Sequence, residues 1–192
     1  FYENPIVAYH MTGRYKKEKE LIKRAFKDFP DDPQLIRRQA ILSLSEKDTV
    51  SANRYIENFL TSHKGDSWSA ALTAHRLGEI YDEGGYYKRA EPFFRKALSL
   101  EPENPVRLNN LGYYLIDRDI NPQEGLGLAD RAIKLNPDSY GFLDTKGWGL
   151  FKLGKYEEAL KLLEKSDSLK PIYNYDLYLH LLTVKQAIVK QN

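Results

Sequence analysis

Apolar and polar residues follow the period of an amphipathic helix through most of this chain, and they do so in pairs of short segments. In the clearest pair, apolar positions at 72–81 predict a first helix, Gly84 and Gly85 interrupt it, and a second amphipathic run covers 87–100. No stretch alternates apolar and polar residues between turn signals, as a strand would. The pattern therefore predicts an all-α protein built from helix pairs.

The helix pairs carry landmarks that repeat at one spacing. The landmarks are Gly78, Gly112 and Gly147 in the first helices, and Pro102, Pro137 and Pro171 after the second helices. Within each set, successive landmarks are 34 or 35 residues apart. Two independent markers keep the same period, so the sequence indicates an internal repeat of a two-helix unit.

Several helix starts are also marked. Asp32, Asn104 and Asn121 each precede a proline, which places a capping side chain before a residue that suits the first helical position. Glu124 follows Asn121 by three residues and completes a capping box.

These residues resemble the tetratricopeptide repeat, whose first helix carries Leu-Gly and then Tyr, and whose second helix carries Ala, a large residue, Ala and a closing Pro. The third unit matches through Leu77, Gly78, Tyr81, Ala90, Phe94, Ala97 and Pro102, and the fifth through Gly147, Leu150, Gly154, Tyr156, Ala159, Leu163 and Pro171. The fourth departs from the pattern with Gly125, where alanine is usual, and with one extra residue in its inter-helix turn.

The resemblance implies a right-handed α-solenoid of about five repeat units and a C-terminal capping helix, within a single domain. The expected units are about 1–32, 33–66, 67–104, 105–139 and 140–173, and the capping helix is expected at 174–190. Residues 108–171 are most similar to tandem repeats of bacterial proteins, many of them in the cell envelope. This favours a bacterial source and an envelope or periplasmic location over the cytoplasm. The start at Phe1 instead of methionine suggests that further sequence precedes it.

In this family the first helices line a concave groove that holds a partner. The positions three before, one after and four after the small residue face that groove. They select Arg37, His75, Glu79, Asp82, Asn109, Tyr113, Ile116, Asp144, Trp148 and Phe151 as partner-binding residues, and the same rule also selects Ile41 and Leu44. The groove is thus expected to be charged in its middle and aromatic towards its C-terminal end. Trp148 and Phe151 have a second interpretation, in which they pack against the next helix of the array.

Composition narrows the possible functions. The 192 residues include 29 basic and 27 acidic side chains, a balance that does not favour nucleic acid, and no apolar run is long enough to span a bilayer. The absence of cysteine excludes disulfides, thiolate metal sites and cysteine nucleophiles. No nucleophile motif or phosphate-binding loop occurs, so neither enzymatic activity nor a cofactor is predicted. His75 and Glu79 have the spacing of metal ligands on a helix, but so simple a pair is common by chance and is interpreted as polar surface.

The sequence therefore predicts a non-catalytic scaffold that binds a partner peptide or protein. An assembly arm of a larger chain, whether or not that chain is anchored in the envelope, is the alternative, and an RNA-binding helical repeat is less favoured. The carboxylate clamp of chaperone-binding members needs an asparagine just after the small residue of its first unit. That place is occupied in successive units by Ile41, Glu79, Tyr113 and Trp148, so the clamp is absent.

Overall fold

A computed structural model describes residues 3–63 and 68–191, which form eleven α-helices. The helices are α1 (Glu3–Met11), α2 (Tyr15–Asp28), α3 (Pro33–Ser45), α4 (Thr49–Ser62), α5 (Ala70–Glu83), α6 (Tyr87–Leu100), α7 (Pro105–Asp117), α8 (Pro122–Leu135), α9 (Tyr140–Lys152), α10 (Tyr156–Leu169) and α11 (Tyr175–Gln191). No strand occurs within these described residues, so the predicted all-α class is confirmed. Each predicted unit contains two helices, and the expected boundary at 66 and 67 lies outside the described residues.

The predicted caps begin three of these helices. The Asp32 carboxylate accepts from the backbone of Gln34 at 2.7 Å, and the Asn104 side chain accepts from the backbone of Val106 at 2.9 Å. Asn121 accepts from the backbone N–H of Glu124 at 3.2 Å and donates to its carboxylate at 3.2 Å. These bonds satisfy N–H groups that a helix N-terminus otherwise leaves without partners.

The turn between the two helices of every pair contains one residue with positive φ. These residues are Gly13, Lys47, Gly85, Asp119 and Gly154, with φ between 58° and 81°. The shared left-handed residue reverses the chain in the same way five times, although two of the five positions lack the glycine that prefers this conformation.

Small residues set how closely the paired helices approach. A Cβ atom on Gly112 would lie 2.9 Å from the backbone oxygen of Gly125, and one on Gly147 would lie 2.8 Å from the Leu163 side chain. Gly125, which departs from the family pattern, is thus the residue that lets α8 come close to Gly112 of α7.

The helices form two compact units, Phe1–Ala97 and Leu98–Asn192, hereafter unit 1 and unit 2. The core of unit 1 contains Ile6, Ile22, Ala25, Leu35 and Leu42, and further along Ala40, Ile41, Leu44, Ala52, Ile56, Phe59 and Ile80. In unit 2, α9, α10 and α11 share a cluster of Leu150, Ala159, Leu163, Leu177 and Val184. The polar residues Lys185, Gln186 and Lys190 of α11 are exposed.

Candidate partner-binding face

The predicted groove residues lie on first helices of the repeats and divide between the two units. Unit 1 contains Arg37 on α3 and His75, Glu79 and Asp82 on α5, whereas unit 2 contains Asn109, Tyr113 and Ile116 on α7 and Asp144, Trp148 and Phe151 on α9. Helix α3 packs against α5, and α7 packs against α9, so each unit presents its own face.

In unit 1, three of the predicted residues form one ion-pair cluster around Glu79. The Glu79 carboxylate lies 3.3 Å from Nε2 of His75 and 3.8 Å from Nη2 of Arg37, and it accepts from Arg76 at 2.8 Å. Burial by itself raises the pKa of Glu79, but the hydrogen bond and charge of His75, together with Arg76 and Arg37, lower it to about 2. Glu79 is therefore ionised at neutral pH.

Glu83, at the end of α5, is the centre of a second group of ion pairs, and sequence reasoning missed it. Its carboxylate pairs with Arg37 and, at 2.6 Å, with Nη1 of Arg38. Glu83 follows Glu79 by four residues, which places both carboxylates on one side of α5. That spacing could have identified Glu83 as a member of the cluster.

His10 extends this cluster to α1 and α2. Its Nε2 lies 3.0 Å from the backbone oxygen of Glu83, and its Nδ1 lies 3.0 Å from the fully buried carboxylate of Glu18. Burial lowers the pKa of His10, but the hydrogen bond to Glu18 and the nearby acceptors outweigh it and raise the pKa above the usual value. Since both ring nitrogens face acceptors, the geometry suits the protonated imidazole.

The charges of the predicted unit 1 residues are thus largely matched within the chain. Arg37 is 8% exposed, and its Nε is buried with no hydrogen-bond partner among the described residues. Asp82 is half-buried near the end of α5.

In unit 2, three aromatic rings form a stack that joins α9 to α11. Phe151 stacks on Trp148 with ring centroids 4.8 Å apart, and His180 stacks on Trp148 at 4.2 Å. The interplanar angles of 15° and 12° make both contacts nearly parallel. Both flanking rings belong to the chain itself, so Trp148 contributes to packing between α9 and α11, as the second interpretation expects.

Hydrogen bonds hold the same stack against α7 and orient the imidazole. The indole Nε1 of Trp148 donates to Oδ1 of Asp117 at 3.1 Å, and Nδ1 of His180 lies 2.8 Å from Oδ1 of Asp144. Sequence reasoning missed both Asp117 and His180. Asp117 follows Tyr113 by four residues on α7 and could have been found by helical spacing, whereas nothing in the sequence marks His180.

Tyr113 lies beside this stack, with its ring centroid 6.3 Å from that of His180. Burial, followed by the negative charges of Asp117, Asp176 and Asp144, raises the pKa of the Tyr113 hydroxyl well above its usual value. One turn earlier on α7, the Oδ1 oxygen of Asn109 is buried and accepts no hydrogen bond from a described residue.

Ile116 does not line this face. It is fully buried, and Cβ atoms on Gly125 or Gly149 would lie 2.6 Å and 2.9 Å from its side chain. The two glycines leave room that Ile116 fills, so the fourth position after Gly112 belongs to the core. Ile41 and Leu44 in unit 1 are buried in the same way.

Two further observations bear on chemistry. Within the described residues, no group of three or more His, Asp or Glu side chains is arranged to hold a metal ion. None of the described helices combines the length and apolar character needed to cross a membrane.

Comparison with known proteins identifies the repeat. A family model described as tetratricopeptide repeat matches residues 73–104 and 143–173, which lie in the third and fifth of the predicted repeat units. A TPR repeat-containing protein of Pseudomonas aeruginosa is 38% identical over 76 residues, which are 40% of this chain and 13% of the relative. The protein STIP1 homolog of Dictyostelium discoideum is 36% identical over 86 residues, covering 44% of this chain and 15% of the relative.

A longer match, at 26% identity over 174 residues, joins 84% of this chain to 19% of the human protein O-mannosyl-transferase TMTC1. The chain therefore spans less than a fifth of the length of each of these relatives.

Solved structures share the fold. The first TPR domain of Spaghetti (RPAP3), bound to the HSP90 peptide SRMEEVD, has a TM-score of 0.53 at 27% identity and covers 62% of this chain and 93% of its own. The Sgt2 TPR domain of Aspergillus fumigatus has a TM-score of 0.57 at 20% identity, covering 65% of this chain and 83% of its own. The TPR protein YrrB has a TM-score of 0.54 at 15% identity, covering 95% of this chain and 90% of its own. The repeated helix pairs, the matches to the tetratricopeptide-repeat model in the third and fifth repeat units, and these likenesses together support a tandem tetratricopeptide-repeat protein.

Proposed function

We propose that this chain is a non-catalytic scaffold that holds a segment of a partner protein on the first-helix faces of its repeats. The observation that carries the proposal is the position of two buried polar atoms. Nε of Arg37 and Oδ1 of Asn109 have no hydrogen-bond partner among the described residues, and both belong to groove positions selected from the family pattern. Buried polar groups are nearly always satisfied in native proteins, so a water molecule or, once neighbouring side chains shift, a bound partner would supply these bonds.

The solved relative at 27% identity supports the use of such faces for peptides, because that TPR domain is bound to an HSP90 peptide. The chemistry of this chain differs, since ionised Glu79 occupies a place where the clamp for acidic C-termini needs an asparagine. We therefore expect no binding of a peptide such as SRMEEVD. In unit 2, Tyr113 is the half-buried aromatic residue beside Asn109, and it serves as the anchor for the partner.

An assembly arm of a longer chain is the second candidate function. The short fraction of each relative that this chain matches favours it, because repeats in such proteins accompany other regions. An arm of this kind associates with its own chain or with copies of itself and binds no free segment.

Selection from a displayed peptide library tests the scaffold proposal directly. Peptides selected on the parent chain should bind Tyr113→Ala roughly tenfold more weakly, because truncation of an aromatic anchor removes most of its contact area. Tyr87→Ala, at an exposed tyrosine on the second helix α6, is the matched control and should bind like the parent. Thermal melting followed by circular dichroism confirms that both variants fold.

Selected peptides that bind Tyr113→Ala as tightly as the parent would contradict the proposed face. If no peptide is selected and sedimentation shows self-association, the assembly arm is favoured instead.

A further inference from the structure

Acidic side chains lie near Tyr113 in unit 2. Asn109, Tyr113 and Asp117 follow one another at intervals of four residues along one side of α7. On the neighbouring helix α9, Asp144 lies beside the imidazole of His180. The Oδ1 oxygen of Asn109 is buried and accepts no hydrogen bond from a described residue.

The negative charges near Tyr113 are matched unevenly by the chain. Asp117 has cations close by, because Arg118 lies 3.4 Å from its carboxylate and Nζ of Lys152 lies 3.4 Å from its backbone oxygen. Asp144, on α9, pairs only with the imidazole of His180 among the described residues. Asp176 in the first turn of α11 is exposed and forms no ion pair with a described residue.

Three carboxylates lie near Tyr113: Asp117 follows it by one turn on α7, Asp144 pairs with His180, whose ring centroid is 6.3 Å from that of Tyr113, and Asp176 precedes His180 by one turn on α11. Arg118 and Lys152 lie beside Asp117, and no lysine or arginine of the described residues forms an ion pair with Asp144 or Asp176, so the charge of these two carboxylates is left for a partner. An aromatic ring beside carboxylates suits a lysine or arginine side chain, whose cation pairs with the acids while its apolar stem packs on the ring.

We infer that the partner segment presents a lysine or arginine side chain to Tyr113, between Asp144 and Asp176 and next to the side-chain amide oxygen of Asn109. Apolar residues of the segment flank that cation and pack against the half-buried rings of Tyr113 and Phe151. The inference rests on the proposed function, because it names the chemistry of the segment that the same face holds. Charge complementarity commits it to a basic partner and not to an acidic one.

Titration with three short synthetic peptides, followed by NMR, tests the inference. The peptides share the same leucines and serines and differ only in carrying lysine, glutamine or glutamate at the remaining positions. The chain has two tryptophans, so the Nε1–H signal of Trp148 reports on unit 2 and that of Trp68 is an internal control in unit 1. Loss of one signal in Trp148→Phe assigns them.

We expect the lysine peptide to shift the Trp148 signal and leave the Trp68 signal in place, with weaker binding by the glutamine peptide and the weakest by the glutamate peptide. Asp176→Asn should lower the affinity for the lysine peptide by about two- to fivefold, as expected for one exposed charge, and leave the affinity for the glutamine peptide unchanged. Glu157→Gln is the matched control, because it removes one charge from the first turn of α10. It should leave both affinities unchanged.

The outcomes separate this inference from the proposed function. If the glutamine peptide binds as tightly as the lysine peptide and shifts Trp148, the cation is wrong although the partner-binding face stands. If Glu157→Gln weakens the lysine peptide as much as Asp176→Asn does, the attraction is non-specific and the inference is overturned. If no peptide shifts Trp148, both the inference and the unit 2 part of the proposed function are contradicted.

Discussion

At the scale of single residues, Trp148 connects three helices of unit 2. Its ring stacks on Phe151 of its own helix and on His180 of α11, while its indole nitrogen donates to Asp117 at the end of α7. Lys152 also lies over the ring, 5.5 Å from its centroid. One side chain thus combines aromatic stacking, a charge-assisted hydrogen bond and a cation–π contact, each of which depends on the others holding the indole in place.

Substitution of Trp148 separates these contributions. We expect Trp148→Phe to lower the free energy of unfolding by about 1 kcal/mol, because it retains a stacking ring and loses the donor to Asp117. Trp148→Ala should lower it by roughly 3 kcal/mol, since it also removes both stacked contacts. Urea unfolding of the two variants measures the difference, and a Trp148→Ala midpoint equal to that of the parent would show that the stack does not stabilise unit 2.

At the scale of elements, the distance between paired helices depends on glycines that face a backbone. Gly112 of α7 and Gly125 of α8 lie against each other, and a Cβ on either would meet a backbone oxygen of the other at 2.9 Å or 2.7 Å. A backbone oxygen cannot rotate away as a side-chain atom can. Gly127, on the same helix as Gly125, has nothing within 4 Å of its Cβ position and lacks a positive φ.

The same substitution at these two positions should therefore have opposite effects. Gly112→Ala should lower the free energy of unfolding by about 1–3 kcal/mol through overpacking, although alanine is the better helix former. Gly127→Ala should raise it by up to about 1 kcal/mol through helix propensity alone. Thermal melting compares the two variants with the parent. If both variants raise the melting temperature, the α7–α8 contact accommodates a methyl group at Gly112, which would contradict the predicted overpacking.

At the scale of the whole molecule, the two compact units use different interactions on their first-helix faces. Unit 1 joins α1 to α2 and α3 to α5 by ion pairs, whereas unit 2 joins α9 to α11 by aromatic stacking and α9 to α7 by the hydrogen bond from Trp148 to Asp117. The chain is nearly neutral overall, and unit 1 contains several paired charges. Its free energy of unfolding should therefore depend on pH through those pairs.

Two groups define the expected pH window. The pKa of His10 in the folded chain lies above 6.5, so its stabilising contribution is complete below pH 6.5 and is lost as the pH rises through the folded value. The pKa of Glu79 is lowered from 4.5 to about 2, so its contribution is complete above pH 4.5 and is lost as the pH falls towards 2. Between about pH 5 and 6.5 both contributions are present, and stability should be greatest there.

Urea unfolding of the parent, His10→Gln and Glu79→Gln across this range measures the two contributions. His10→Gln should lose the decline above pH 6.5, and Glu79→Gln should lose part of the decline below pH 4.5. His63→Gln and Glu57→Gln are matched controls at residues outside the cluster. An unchanged decline above pH 6.5 in His10→Gln would mean that the His10–Glu18 pair does not stabilise unit 1.

The sequence by itself determined the class of fold, the repeat and the helix starts. These features depend on local signals, because a closing proline or a capping asparagine acts within its own helix or turn, and the small residues recur at a fixed spacing along the chain. The family pattern also brought Arg37, His75 and Glu79 to neighbouring positions of one face, since equivalent residues on adjacent first helices lie near each other. Glu83, which pairs with Arg37, follows Glu79 by one helical turn, and the sequence contains that spacing.

Only the tertiary structure decided which side chains of a helix face are covered. Ile116 has the register of a surface residue, but Gly125 and Gly149 on two other helices leave space for it in the core. His180 meets Asp144 across 36 residues, and His10 meets Glu83 across 73. Such partners depend on how helices distant in sequence pack together, and helical periodicity specifies the direction of a side chain without specifying what occupies the space in front of it.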